Sequence, residues 1–207
     1  MKVLVACEFS GVVRDAFRTR GHDAISCDLL PTEQPGPHIQ GDVMTVLDMG
    51  WDLMIAHPPC TYLTSSGLHW NHRRPERANE TAKALEFIRL LLTAPVPRIA
   101  LENPVGRINT AIRKPDQIIQ PWMFGNPESK TTCLWLKNLW PLVPTDVLAV
   151  PSSGRWANQT ASGQNRLAPS PTRWMERSRT YPGIADAMAD QWGNDSVYPQ
   201  RGVGIPT

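Results

Sequence analysis

Short apolar segments alternate with segments of helical spacing in this chain of 207 residues. Residues 2–6 (KVLVA) and 24–30 (AISCDLL) have the composition of buried strands, and residues 12–21 between them carry apolar side chains at the spacing of one helix face. A strand, a helix and a second strand joined by short turns form a βαβ unit with parallel strands. This alternation of strands and helices limits the possible folds more than any other feature of the sequence, and it predicts an α/β architecture.

The alternation continues along the chain and predicts a doubly wound, mostly parallel sheet. The length suits one domain, made of residues 1–140 and 181–193, with a core large enough to be stable without disulfides. The other predicted elements are strands at 51–57, 97–104 and 133–139, helices at 43–48, 77–93 and 181–192, and a loop at 31–42. Residues 141–180 are predicted to be irregular, and residues 194–207 to form a loose tail.

The cysteines are widely spaced, without a C-x-x-C pair or a cysteine–histidine cluster of zinc-site spacing. We therefore expect no disulfide framework, no metal and a reducing, cytoplasmic setting. The apolar run at the amino terminus is too short for a signal peptide, and no apolar run approaches the length of a membrane-spanning helix. The chain is expected to be soluble, with Cys7, Cys27 and Cys133 in its core.

Between Pro151 and Pro182 the chain is basic and aromatic, although the net charge of the whole chain is only +2. Five arginines against one acid, with aromatic residues among them, suit contact with phosphates and stacking on bases. A solvated, irregular segment explains the same composition, and the sequence leaves both interpretations open. The arginines are Arg155, Arg166, Arg173, Arg177 and Arg179, and the aromatic residues are Trp156, Trp174 and Tyr181.

Four chemically suggestive segments follow predicted strands, at the edge where a doubly wound sheet binds its ligands. They are FSG (9–11), Asp28, PPC (58–60) and ENP (102–104). Cys60 is either a nucleophile or a small buried residue at a strand end, and Glu102 on a neighbouring strand end favours the nucleophile. A thiolate paired with an acid suits addition to an electron-poor ring such as a pyrimidine, with sulfur attached at C6 and the acid at N3.

These motifs, in their order along the chain, resemble those of the DNA cytosine-5 methyltransferases, in particular compact members from phage and prophage genomes. Residues 5–17 (VACEFSGVVRDAF) resemble the first family motif, 57–67 (HPPCTYLTSSG) the catalytic Pro-Cys loop and 100–104 (ALENP) the Glu-Asn motif. The resemblance implies the Rossmann-like fold of methyltransferases that use S-adenosylmethionine. It assigns the cofactor to Phe9, Ser10, Gly11, Asp28, Leu29, Asp42, Val43 and Pro58, and catalysis to Pro59, Cys60, Glu102 and Asn103.

The resemblance also implies a substrate, a reaction mechanism and a cellular compartment. A cytosine flips out of double-stranded DNA, Cys60 attacks C6, Glu102 stabilises the adduct at N3, and C5 accepts the methyl group. Thr64, Lys130 and the arginines of the basic segment are expected to contact the DNA. The expected place of action is the cytoplasm of a bacterial host cell.

The chain departs from the family pattern at several places. The first loop, FSGVV, lacks the further glycines of the family, Thr61 stands where glutamine is usual, and Pro104 replaces valine. Residues 128–132 (ESKTT) replace a Gln-x-Arg-x-Arg segment, so the arginine for the cytosine carbonyl is missing unless Lys130 or a later arginine takes its role. The chain has no room for an ordinary target-recognition domain, which implies a short recognition sequence or little specificity.

Other functions stay open. The same chemistry suits free dCMP or single-stranded DNA as substrate. A degenerate, inactive methyltransferase that binds DNA or a partner, for example to block restriction, fits the altered motifs. A generic α/β nucleotide-binding protein with an unreactive Cys60 is the third alternative.

A few nearby residues have two interpretations each. His57 is predicted to pack or cap the strand end rather than to act on Cys60. Residues 69–77 (HWNHRRPER) fit either a lid that closes over DNA or a solvated helix start. Trp135 and Trp140 are predicted to pack or to cover the site rather than to read bases.

Overall fold

A seven-stranded mixed sheet forms the centre of the computed structural model, which describes residues 1–65, 74–163 and 165–194. The strands are β1 (Lys2–Ala6), β2 (Asp23–Asp28), β3 (His38–Gln40), β4 (Leu53–Ala56), β5 (Arg98–Pro104), β6 (Gln117–Ile119) and β7 (Thr132–Lys137). Their spatial order is β3-β2-β1-β4-β5-β7-β6, and β7 runs in the opposite direction to the other strands. The order reverses between β1 and β4, and such a switch point opens a crevice at the carboxyl ends of the strands.

Helices cover both faces of this sheet. They are α1 (Val12–Thr19), α2 (Pro75–Leu92), α3 (Ile108–Ala111), α4 (Arg173–Ser178) and α5 (Pro182–Gly193), with short 3-10 turns at Val43–Thr45 and Pro121–Met123. None of the helices in the described ranges is long and apolar enough to cross a membrane.

Alternate residues of β1 enter two separate cores, because successive side chains of a strand point to opposite faces. Val3 and Val5 pack in the core that contains α1 and α5, including the fully buried Phe17. Leu4 and Ala6 pack in the other core, with α2. Burial on both faces explains why the strand segments are apolar throughout rather than alternating.

The mixed sheet with helices agrees with the mostly parallel α/β sheet predicted from sequence, and β7 runs antiparallel to both of its neighbours. Residues 120–131, between β6 and β7, contain a 3-10 turn and no α-helix. Parallel neighbours usually need a helical crossover, whereas antiparallel neighbours do not. β7 therefore lies between β5 and β6 and pairs antiparallel with both.

Several boundaries also differ from the prediction. The loop predicted at 31–42 contains the short strand β3, and the strand predicted at 24–30 ends at Asp28. The predicted irregular segment at 141–180 contains the single regular element α4 among its described residues. The predicted lid at 69–77 lies mostly outside the described residues, as does the tail beyond residue 194.

Candidate active site

Cys60 and Glu102 come from neighbouring strands at the carboxyl edge of the sheet. β4 and β5 pair in parallel, with Ala56 opposite Leu101. His57 and Glu102 are the next residues on each strand, and His57 Nδ1 lies 3.3 Å from Glu102 Oε2. Cys60 follows three residues later, half-buried, and interacts electrostatically with Glu102.

The loop that carries Cys60 is fastened to the loop that follows β5. Asn103, which is buried, donates a hydrogen bond of 2.8 Å from Nδ2 to the carbonyl of Pro58. The Arg107 amide donates to the Leu63 carbonyl at 2.7 Å. Gly106 lies so close to Leu63 that a Cβ atom at this position would be 1.9 Å from the Leu63 carbonyl oxygen. Only glycine permits this approach, so the two loops form one unit.

Opposing charges act on the Cys60 thiol. Burial raises its pKa, and the negative charge of Glu102 raises it further. The positive charges of Lys130 and Arg177 act in the opposite direction without reversing the shift. The surroundings of Cys60 therefore favour the protonated thiol over the thiolate.

Glu102 is held as a carboxylate by its neighbours. Burial alone would raise its pKa, but the hydrogen bond from His57, the charge of Lys130 and the hydroxyl of Thr132 together lower it below the ordinary value. Glu102 and Lys130 line a small cleft together with Tyr181. The cleft thus holds a hydrogen-bond acceptor and a cation.

Glu8 occupies the amino terminus of α1, beside the predicted cofactor loop. Its buried carboxylate accepts hydrogen bonds from the amides of Val13 at 2.7 Å and Arg14 at 3.2 Å, and from the Ser10 hydroxyl at 3.2 Å. Burial raises the pKa of Glu8, while its amide donors and the nearby His57 act against this rise. An internal carboxylate thus takes the position where an anionic ligand group binds many helix termini.

Arg14 organises the loop between β2 and β3. Its fully buried guanidinium donates to Ser26 Oγ at 3.2 Å, Thr32 Oγ1 at 3.1 Å and the Gln34 carbonyl at 3.0 Å. Gly11, at the start of α1, has a φ of +78°, and a Cβ there would lie 2.5 Å from Arg14 Nη2. The single glycine of the FSG loop is therefore required both by its backbone conformation and by the packing of Arg14.

The other predicted cofactor residues lie around the same edge. Asp28 ends β2 and accepts the Leu30 amide at 2.9 Å, and Asp42 accepts the Met44 amide at 3.0 Å to cap a 3-10 turn. The remaining members differ in exposure: Phe9, Ser10, Gly11, Val43 and Pro58 are buried, and Leu29 is 73% exposed; Pro59, predicted as a catalytic residue, is exposed. The acids of this edge thus follow separate strands of the sheet.

Residues 173–181 lie along this edge; we call them the strap. The Trp174 ring lies 6.1 Å from the Phe9 ring between centroids, at the cofactor end. Arg179 donates two hydrogen bonds to the Glu33 carboxylate, at 2.6 and 2.8 Å. Lys130 Nζ donates to the Arg179 carbonyl at 3.3 Å, at the Glu102 end. The strap therefore reaches from the first loop to the cleft beside Glu102.

The predicted DNA-contact residues fall into separate groups. Lys130 and Arg177 lie close enough to act on Cys60, and Thr64 bridges to Gly106 in the fastened loops. Arg179 is paired with Glu33, whose carboxylate takes two of its planar donors, and its contact with DNA stays a prediction. The remaining members are Arg173, half-buried in α4, and Arg155 and Arg166, both exposed.

Arg155 and Arg166 line an open pocket of about 290 Å³ away from Cys60. Its floor includes Trp156, whose ring stacks on Trp122 with 13° between the planes. Both guanidinium groups also donate to carbonyls of the same loop, Arg155 at 3.2 Å and Arg166 at 3.5 Å. The pocket is a second basic and aromatic surface, separate from the strap.

Sequence reasoning missed the roles of Glu8, Arg14 and His57. His57, predicted to pack or cap the strand end, is buried there and also contacts Glu102, which the sequence does not indicate. The parallel register of β4 and β5 places these two residues together, and register is not visible in the sequence. Glu8 had a visible signal, since an acid just before a helix start favours capping.

Trp135 is fully buried and packs in the core, while Trp140 is 38% exposed.

Comparison with models of known protein families gives no match, and no curated protein matches significantly. Among the described residues, no group of three or more histidine, cysteine or acidic side chains is arranged to hold a metal ion. The function therefore has to be argued from the site itself.

Proposed function

We propose that this protein transfers a methyl group from S-adenosylmethionine to C5 of cytosine in DNA. The observation that carries the proposal is the pairing of Cys60 and Glu102 at adjacent strand ends, close enough for their charges to interact. A thiol nucleophile and an acidic side chain are the two groups that activation of a pyrimidine at C5 needs.

The residues of the cleft have distinct tasks in this reaction. The Cys60 sulfur bonds to C6 of a flipped cytosine, which raises the electron density at C5 and N3. Glu102 takes the proton that Cys60 gives up and shares it with N3 while it accepts a hydrogen bond from the exocyclic amine, and Lys130 beside it donates to the carbonyl oxygen, a role that the family gives to an arginine. A base from solvent then takes the C5 proton, the C6–S bond breaks with its electron pair on sulfur, and the N3 proton returns through Glu102 to Cys60. S-adenosylmethionine, when bound, supplies the electrophilic methyl group.

The raised pKa of Cys60 is compatible with this order of events. The thiol stays protonated in the free protein because burial and the Glu102 charge oppose ionisation. Once Glu102 engages N3, less of its negative charge acts on Cys60, and Lys130 and Arg177 then favour the thiolate. Activation is thereby tied to the presence of the base.

The acids around the first loop suit a cationic cofactor without phosphates. Glu8 fills the helix terminus where dinucleotide-binding folds hold a pyrophosphate. Asp28 at the end of β2 is placed for ribose hydroxyls, and Phe9 offers an apolar wall. The amides that would hold a nucleotide phosphate already donate to Glu8, and the acids at this edge suit a positively charged sulfonium. This argues against the generic nucleotide-binding alternative and supports a methyltransferase type of Rossmann-like fold.

DNA is the favoured substrate because Lys130 and Arg177 lie close enough to act on Cys60 and a second basic surface is present at Arg155 and Arg166. The small size of these surfaces favours a short recognition sequence. The resemblance to compact phage and prophage members extends the proposal to the cytoplasm of a bacterial host cell as the place of action.

Methyl transfer is tested with isotope-labelled S-adenosylmethionine and nucleoside mass spectrometry. Double-stranded DNA, single-stranded DNA and dCMP are the three substrates, and Cys60→Ala is compared with Cys27→Ala, which removes a buried thiol outside the cleft. We expect 5-methylcytosine with the wild type and Cys27→Ala and none with Cys60→Ala. Product only with dCMP would identify the free nucleotide as substrate. No product with any substrate would refute the proposal and favour an inactive DNA-binding protein.

A further inference from the structure

The imidazole of His57 contacts one buried carboxylate and acts electrostatically on a second acid. His57 directly follows β4, and its amide donates to the Ala6 carbonyl at 2.9 Å, which continues the pairing of β4 with β1. The side chain is only 6% exposed, and Nδ1 lies 3.3 Å from Glu102 Oε2. The charge of His57 also acts on Glu8, at the start of α1.

The second ring nitrogen of His57 is buried and unsatisfied. Nε2 has no hydrogen-bond partner among the described residues. Buried polar atoms without a partner cost free energy and are rare, so one at a cleft points to a function. Since Glu102 takes the Nδ1 side of the ring, a carboxylate acceptor there requires a hydrogen on Nδ1.

We propose that His57 is a positioning residue for Glu102: it fixes the carboxylate that the proposed function brings to the base. This inference rests on the proposed function for the meaning of Glu102, but the contact itself can be tested without any activity. The backbone of His57 is held as well, because its amide is joined to the Ala6 carbonyl of β1.

The role follows from what would happen to Glu102 without the imidazole. Burial raises the pKa of Glu102, and His57 and Lys130 counteract this rise. The groups that surround the pair are Glu8 from the loop after β1, Cys60 from the loop after β4, and Lys130 and Thr132 from the start of β7. His57 is hydrogen-bonded to Glu102 from the neighbouring strand end, directly after β4. Its loss would leave Lys130 and the Thr132 hydroxyl to hold the carboxylate, both from the start of β7.

A matched pair of variants separates hydrogen bonding from packing. The substitution His57→Asn keeps an N–H donor near the Nδ1 position, whereas His57→Leu introduces a side chain of similar shape that has no donor. The carboxyl carbon of Glu102 is followed by 13C NMR through a pH titration and assigned with Glu102→Gln. We expect His57→Leu to raise the proton affinity of Glu102 about tenfold, and His57→Asn to change it less.

Kinetics give the second readout. We expect His57→Leu to lower kcat for methyl transfer about 100-fold with an unchanged KM for DNA, and His57→Asn to recover most of this loss. His22→Asn is the control, because His22 packs on Phe17 at 5.7 Å in the α1–α5 core and should alter neither readout. Equal effects of asparagine and leucine would show that His57 only fills space and would overturn the inference.

The outcomes distinguish the two proposals. If the wild type transfers no methyl group but His57→Leu shifts the Glu102 titration, the proposed function fails and the His57–Glu102 pair stands. If methyl transfer occurs and the titration of Glu102 is unchanged in His57→Leu, the inference fails alone. Should the leucine variant not fold, 15N NMR of the wild-type ring decides: a protonated Nδ1 supports the inference, and an unprotonated Nδ1 refutes it.

Discussion

At the scale of single residues, the reactivity of Cys60 depends on neighbours of opposite charge. Glu102 suppresses the thiolate, while Lys130 and Arg177 favour it, and burial outweighs both. This balance explains how a nucleophile can stay protonated until its substrate arrives. It also means that removing Glu102 should lower the pKa of the thiol, whereas removing Lys130 or Arg177 should raise it.

Removal of the Glu102 charge should make Cys60 more reactive. We expect Glu102→Gln to lower the pKa of Cys60 and to speed its alkylation by iodoacetamide at neutral pH about threefold or more, although methyl transfer is lost. Lys130→Met should slow alkylation by a similar factor. Peptide mass spectrometry measures the rate at Cys60, with the buried Cys133 as an internal reference. The opposite order of the two variants would contradict the electrostatic account.

The pH dependence of the wild type has a defined sign. Because the pKa of Cys60 is raised, the thiolate fraction at neutral pH is smaller than that of an exposed cysteine, and alkylation should accelerate steadily as the pH rises above neutrality. A cysteine peptide without structure provides the comparison. A Cys60 that reacts faster than this peptide at neutral pH would show that the thiolate is already formed.

Residue identities at the site were predictable from sequence, but their contacts were not. Cys60, Glu102 and Asn103 stand out because strand-end positions carry chemistry in doubly wound sheets. The contact of His57 with Glu102 depends on the register of β4 against β5, and the Arg179–Glu33 pair joins residues that are distant in the chain. Such long-range pairings follow from the complete fold and leave no local pattern.

At the scale of elements, the loops after β4 and β5 act as one unit because Gly106 permits their close approach. We expect Gly106→Ala to lower the free energy of unfolding by about 1–3 kcal/mol, because a Cβ would lie 1.9 Å from the Leu63 carbonyl oxygen. Methyl transfer should fall with it, since the same loop holds Cys60. Chemical denaturation measures the first effect and nucleoside mass spectrometry the second.

Gly41→Ala is the matched control for this change. A Cβ at Gly41 meets nothing within 4 Å, and its φ lies outside the left-handed region. Stability should change little there. If Gly106→Ala is as mild as Gly41→Ala, the loops are not fastened in the way that their contacts indicate.

Long elements were predictable from sequence, and short ones were not. The apolar runs of β1, β4 and β5 and the helix α2 carry strong periodicity or composition signals. β3 and β6 have three residues each and lie in segments rich in turn formers or short of apolar residues. Their pairing is decided by the neighbouring strand, so only the assembled sheet defines them.

At the scale of the whole molecule, the strap joins the carboxyl-terminal segment to the amino-terminal half. Arg179 and Glu33 form its main polar link, and Trp174 rests on Phe9. We expect Glu33→Gln to loosen the strap, so that trypsin cuts at Arg173 and Arg177 several-fold faster, because the paired carboxylate is lost. Time courses of limited proteolysis measure this rate.

A charge reversal provides the control for the strap. Glu33→Arg alone should behave like Glu33→Gln or worse, and Glu33→Arg combined with Arg179→Glu should restore slow cleavage. If the single and double variants are cleaved at the same rate as the wild type, the Arg179–Glu33 pair does not hold the strap. Added S-adenosylmethionine should slow cleavage in the wild type if its site lies beside Phe9.

The most direct test of the central claim is to trap the bond between Cys60 and cytosine. DNA that contains 5-fluorocytosine is incubated with the protein and S-adenosylmethionine; fluorine replaces the C5 proton whose loss releases the enzyme, so the adduct should persist. We predict a covalent protein–DNA complex whose mass-mapped attachment site is Cys60, formed by the wild type and absent with Cys60→Ala. Efficient methylation of ordinary DNA by Cys60→Ala, or an adduct at another residue, would contradict the account.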